Sequence, residues 1–152
     1  MTTADVHSGA AQPSTGPLHR ARIEPAYGAY LLLRIGFAVL PIVFGIDKFT
    51  NVLTKWEGYL APWIVDIMPI SAHQAMLVVG VVEIVAGLAV ALKPRYAAYI
   101  VAAWLAGIII NLLSYPGFYD IALRDFGLLL GALTLARLAS VYDPAWSSKT
   151  AR

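Results

Sequence analysis

The chain has 152 residues, a formal net charge of +2, 59% hydrophobic and only 13% charged residues, and no cysteine. A soluble domain carries about 25% charged residues, so with a mean hydropathy of +0.70 lipid must cover much of this surface. The missing thiols exclude disulfides, thiolate catalysis, persulfide carriers and cysteine-ligated clusters, and the small charge argues against a nucleic-acid partner.

Residues 1–27 are rich in Ser, Thr, Ala, Gly and Pro and show no apolar period. They predict a flexible cytoplasmic tail, and no short apolar core precedes a cleavage site to make them a secretory signal. Residues 28–140 then hold four apolar runs, at about 30–48, 74–92, 96–113 and 121–138. Each approaches the roughly 20 residues that a membrane-spanning helix needs. The runs lack period-two alternation, and a chain in lipid must satisfy every backbone group internally, so helices are expected and strands are not. Lys93-Pro94-Arg95 separates the second and third runs, Ser114-Tyr115-Pro116-Gly117 the third and fourth, and residues 141–152 form a short polar tail. The expected fold class is all-α, a membrane-spanning four-helix bundle forming a single domain.

Basic residues orient it. Arg20, Arg22, Arg34, Lys93, Arg95, Arg137, Lys149 and Arg152 fall on the side of the termini, against Lys48, Lys55 and Arg124 on the other. Eight against three places both termini in the cytoplasm. The long connection between the first and second spans carries Trp56, Tyr59, Leu60, Trp63, Ile64 and Ile67 at helical spacing, interrupted by Pro62. Trp56, Tyr59 and Trp63 are therefore expected to anchor a partly interfacial segment at headgroup level. A lid over a cavity between the helices is compatible with the same pattern.

Polar residues within the spans are costly and mark function or register. Glu83 is near the middle of the second span and shares a stripe with Gly80 and Gly87, so it should point into the bundle. On the fourth span Gly127 and Gly131 form a GxxxG pair, and Arg124, three residues earlier, begins on the same packing face with Asp125 beside it. Trp104, Gly107, Asn111 and Ser114 share a face of the third span, and Asp47 ends the first, which Pro41 is expected to kink. Glu83, Asp47, Asn111, Arg124 and Asp125 converge on the outer half, predicting a polar pocket there; an Arg–carboxylate network that fixes helix register is the competing reading. Arg34 is expected to snorkel to the cytoplasmic headgroups. His7 and His19 fall in the tail, which leaves His73 alone near a span, so neither a haem nor a metal site is expected.

With these residues located, the chain resembles the DoxX-like family of small four-helix membrane proteins. The resemblance rests on LLLRIGFAVLPIVFGIDKF in the first span, VVGVVEIVAGLAVAL in the second and ALRDFGLLLGALTLARLA in the fourth. Arg34, Gly45, Lys48, Glu83, Gly87 and Asp125 occupy the family's marked positions, and the match runs from about residue 30 to 140. The family takes its name from a subunit associated with terminal quinol oxidation and thiosulfate:quinone oxidoreduction. The resemblance thus implies an accessory subunit of a quinone-linked respiratory or redox-stress complex in a bacterial inner membrane, without catalytic activity of its own. A quinone is the one ligand it implies. Partners would be the lipid bilayer, subunits of a redox complex or further copies of the chain. An assembly protein without a site, and a small proton or solute transporter, are the alternative functions.

Overall fold

A computed structural model describes residues 16–143. Most of both expected tails, residues 1–15 and 144–152, lies outside the described residues, as do His7, Lys149 and Arg152. The part of the N-terminal tail that is described contains helix. Pro17 opens a short helix α1 (Pro17–Ile23) and Pro25 opens the first long helix α2 (Pro25–Thr50). A proline at the first helical position lacks only an N–H that would be unpaired anyway, and its φ suits the helix. Proline content here starts helices instead of preventing them. α1 folds back on α2 so closely that a Cβ at Gly28 would meet the Ala21 carbonyl oxygen at 2.9 Å.

α2 carries Pro41 in its interior and ends at Asn51, whose φ is 52°, the left-handed conformation that asparagine tolerates at a helix end. The connection from α2 to the next long helix is two short pieces, a 3-10 turn (Trp56–Tyr59) and helix α3 (Pro62–Ile67). Pro62 therefore begins a helix where the sequence pattern has it interrupting one. Helix α4 (Ala72–Leu92) starts with a reciprocal capping box: the Ser71 hydroxyl accepts from the Gln74 backbone and the Gln74 side chain accepts from the Ser71 backbone. Only Lys93 separates it from helix α5 (Pro94–Leu113), again opened by proline. Gly117, at φ 105°, turns the chain into helix α6 (Tyr119–Tyr142).

The described residues are thus all-helical, with six α-helices, four of them long. Three helices, α2, α4 and α5, are long and apolar enough to cross a membrane. The fourth expected span is not among them. At 24 residues α6 has the length, but Asp120, Arg124, Asp125 and Arg137 are spread along it.

The long helices associate as two tight pairs, α2 with α4 and α5 with α6, and the pairs meet each other less extensively. Without a hydrophobic force between helices in lipid, close packing of small residues holds such pairs. Between α2 and α4 the contact is a glycine seam: a Cβ at Gly45 would meet the Gly80 carbonyl oxygen at 2.6 Å, and one at Gly87 the Ala38 oxygen at 2.5 Å. Between α5 and α6 it is an alanine seam of Ala97, Ala98, Ala102, Ala132, Ala136 and Ala139, all buried. The continuous core, with Tyr30, Val90 and Leu135, sits at the end of the bundle that bears the termini. Towards the opposite end, where the α2–α4 connection lies, the two pairs part.

Candidate functional site

Where the pairs part there is a cavity of about 950 Å³, walled by all four long helices and roofed by the α2–α4 connection. Its walls are mostly apolar. Along α2 its lining includes Leu32, Gly36, Leu40, Phe44 and Lys48, spaced four residues apart on one face. Sixteen residues of helix at 1.5 Å each make this a groove about 24 Å long.

The polar end of the groove is built by the glycine seam. Because Gly80 has no side chain, the Lys48 Cβ lies beside it, where an added Cβ would come within 3.1 Å. From there the lysine Nζ reaches one turn along α4 and donates to Glu83 Oε2 at 2.7 Å. Lys48 is 4% exposed, and its Nζ also stands 3.8 Å from the centre of the Trp56 ring. A desolvated ammonium between a carboxylate and an indole face is held by charge and by the ring quadrupole together.

Asp47, expected in the pocket, instead organises the connection. Its carboxylate accepts from the Thr50 hydroxyl, from the Val52 and Leu53 backbone N–H groups and from Trp56 Nε1. It thereby pins Trp56 over Lys48. Asn111 does line the cavity and also ties the roof to α5: its amide donates to the Tyr59 carbonyl at 2.7 Å and its oxygen accepts from the Ala61 N–H at 2.9 Å. Trp63 Nε1 donates to the Ser114 hydroxyl and the Tyr115 hydroxyl to the Gly58 carbonyl. On the α4 side Glu57 accepts from His73 at 2.8 Å, and this bond is the first cause holding the Glu57 carboxyl below the ordinary carboxylate range. The three aromatic residues expected to anchor at headgroup level are thus also roof residues, two bonded through their indoles and Tyr59 through its backbone. Tyr59 lines the cavity directly, as does Trp56.

α6 is rotated from its expected setting. Arg124 is not on the packing face: its side chain is 75% exposed at the cavity's edge and bonds Asp120 one turn back at 3.2 Å, not Glu83. At the parted end of the bundle the intrahelical carboxylate is the nearer partner. Asp125 takes the inward place, lining the cavity half-buried, as Glu83 does from α4. The glycines divide in the same way. Gly80 and Gly87 form the seam and Gly131 receives the Phe37 ring, but Gly107 and Gly127, expected to pack, have no neighbour within 4 Å: Gly107 lines the cavity, and Gly127 is exposed on the face of α6 that carries Arg124. Arg34 does not run free to headgroups; it donates to the Tyr30 hydroxyl and to the Ala91 carbonyl near the end of α4.

Lys48 is a site residue that the sequence marks only as an outer-side charge at the end of the first span and as a family position. The available signal was its place one turn after Gly45, on the face that the glycine commits to a neighbour. Nothing in the sequence indicates that the Trp104 Nε1, in the cavity wall, is buried without an acceptor among the described residues. No cluster of three or more potential metal ligands occurs among the described residues.

A protein-family model described as DoxX matches residues 29–113, more than half the chain and all of the segment from the second turn of α2 to the end of α5. Lys48, Glu83 and Asn111 fall within the match, and Asp125 beyond it. No curated protein and no solved structure matches the chain.

Proposed function

This chain belongs to the DoxX family, and on that premise we propose that it is a multi-pass membrane protein that holds a quinone between its two helix pairs, as an accessory subunit of a quinone-linked redox complex. One observation carries the reading. An apolar groove about 24 Å long ends on a buried Lys48–Glu83 pair at 2.7 Å. A long hydrocarbon tail suits the groove, and ring oxygens need hydrogen-bonding partners that an apolar wall lacks. Lys48 would donate to such an oxygen and Glu83 would exchange a proton with it; the quinone, when bound, supplies the redox chemistry. The roof clasped by Asn111, Ser114 and His73 covers that end.

In this reading α6 is the fourth span. Its charges do not forbid this: Asp125 faces the cavity, the Asp120–Arg124 pair is in the first two turns, and Arg137 is near the opposite end. The charge asymmetry of the connections supports termini in the cytoplasm, and the membrane of this reading is a bacterial inner membrane.

The test is the native mass and lipid content of the tagged protein, extracted in mild detergent from its own membrane. Co-purified redox subunits and about one quinone per chain are the expected result, with quinone lost from Lys48→Met and Glu83→Gln variants that still fold. An assembly role without a ligand predicts partner subunits but no quinone in any sample. A lone chain without quinone would refute the proposal.

A further inference from the structure

The polar groups around the cavity are unequal in one respect. Lys48 and Glu83 satisfy each other across α2 and α4, and Arg124 is paired with Asp120. Asp125 also lines the cavity, half-buried, yet no hydrogen bond or ion pair to its carboxyl occurs among the described residues. A carboxyl withdrawn from water without a partner is unfavourable unless something bonds it. It is, moreover, on the other helix pair, opposite the Lys48–Glu83 wall. The end of the groove therefore offers hydrogen-bonding groups on two facing walls: a committed cation–carboxylate pair on one, an uncommitted carboxyl on the other.

Charge narrows what fits between them. Lys48 is already neutralised by Glu83, and Arg124, at the cavity's edge, is paired with Asp120, while Asp125 adds a further acid, so no cation of the lining is without an acid. A phosphate or carboxylate headgroup would meet Glu83 and Asp125 and would have to draw Lys48 or Arg124 from its acid. A neutral headgroup with oxygens at opposite edges meets a donor on each side, the Lys48 ammonium on one and the protonated Asp125 carboxyl on the other. We propose that Asp125 is a specificity-determining residue whose protonated carboxyl donates to the distal oxygen of a neutral, two-oxygen ring, so that the ligand bridges the α2–α4 and α5–α6 pairs. The proposal rests on the quinone reading above and deepens it: it selects a neutral-headed, single-tailed amphiphile over an anionic lipid. It also assigns the ligand the task of joining two helix pairs that otherwise diverge at this level.

The experiment uses the full-length chain in detergent, stripped of endogenous lipid. Titration with a short-chain benzoquinone is read by quenching of tryptophan fluorescence, since Trp56 and Trp104 line the same cavity. An anionic phospholipid of equal tail length serves as competitor. Wild type should bind the quinone and be indifferent to the phospholipid. Asp125→Leu should weaken binding by about tenfold, the upper value of one hydrogen bond between neutral groups, whereas Asp125→Asn, whose amide N–H also donates to the ring oxygen, should stay within about threefold. Quinone should also raise the unfolding temperature of wild type and not that of Asp125→Leu, because bridging is lost. Equal quinone affinity in wild type and a folded Asp125→Leu, or displacement of quinone by the phospholipid, would overturn the role of Asp125 while leaving quinone binding intact. Absence of quenching in wild type would remove the quinone reading itself, and this inference with it.

Discussion

The Lys48–Glu83 pair shows how a single residue's absence of side chain creates a charge pair. Gly80 lets the lysine stem lie against α4, and only from that position does Nζ come to 2.7 Å from the carboxylate. Removing one member of a buried pair leaves the other uncompensated, at a cost on the order of 3 kcal/mol, while replacing both by neutral groups of similar volume is close to neutral. Lys48→Met alone should therefore lower the unfolding midpoint in a denaturing detergent titration, and the Lys48→Met/Glu83→Gln double variant should recover most of it. A double variant no more stable than the single would show that the pair does not couple. Glu83 itself was legible in the sequence because a mid-span carboxylate beside two glycines has few places to point. Its partner was not, since the choice between Lys48 and Arg124 depends on how far apart the helices stand at each depth.

At the scale of the elements, the same residue type does opposite things according to where the helices run. Gly80 and Gly87 are at backbone contact with α2, so an added side chain must push the pair apart, whereas Gly107 and Gly127 have no neighbour within 4 Å. Gly80→Ala and Gly87→Ala should each destabilise the fold by about 1–3 kcal/mol through overpacking. Gly107→Ala and Gly127→Ala should be neutral or stabilising by up to about 1 kcal/mol, as alanine replaces glycine in an open helix. Thermal unfolding of the four variants checks this, and equal losses in all four would contradict the two-pair arrangement. A small-residue stripe in a sequence names a face that permits close approach; whether another helix comes there is a property of the pair. The prolines illustrate the complementary point. Pro17, Pro25, Pro62 and Pro94 each occupy the first turn of a helix. That role depends on the residues C-terminal to each proline, and Pro62 reads as an interruption until α3 is seen to begin there.

For the whole molecule, the pairing of helices and the divergence of the pairs yield one closed end and one hollow end. The closed end is sealed by Tyr27, Tyr30 and Tyr142, whose rings lie 5.4–6.0 Å apart, with the Tyr142 hydroxyl bonded to Glu24. The hollow end is bounded by the roof. Topology is directly testable because the chain has no native cysteine. Single cysteines at Lys93, in the α4–α5 turn, and at Gly58, in the roof, should react with a membrane-impermeant thiol reagent from opposite sides, Lys93→Cys only when the cytoplasmic face is open. Labelling of both from one side would refute the orientation.

What the sequence determined by itself is everything that depends on short range and on solvent. It specified helices in lipid, their approximate bounds, the family, and Glu83 as a residue that cannot face hydrocarbon, because backbone satisfaction and charge burial act locally and strongly. Only the tertiary structure decided which charges meet, which glycines touch, and that Asp125 faces inward while Arg124 faces out. Those outcomes turn on helix rotation and separation by a few ångströms, which many residues set jointly and no one stretch of sequence encodes.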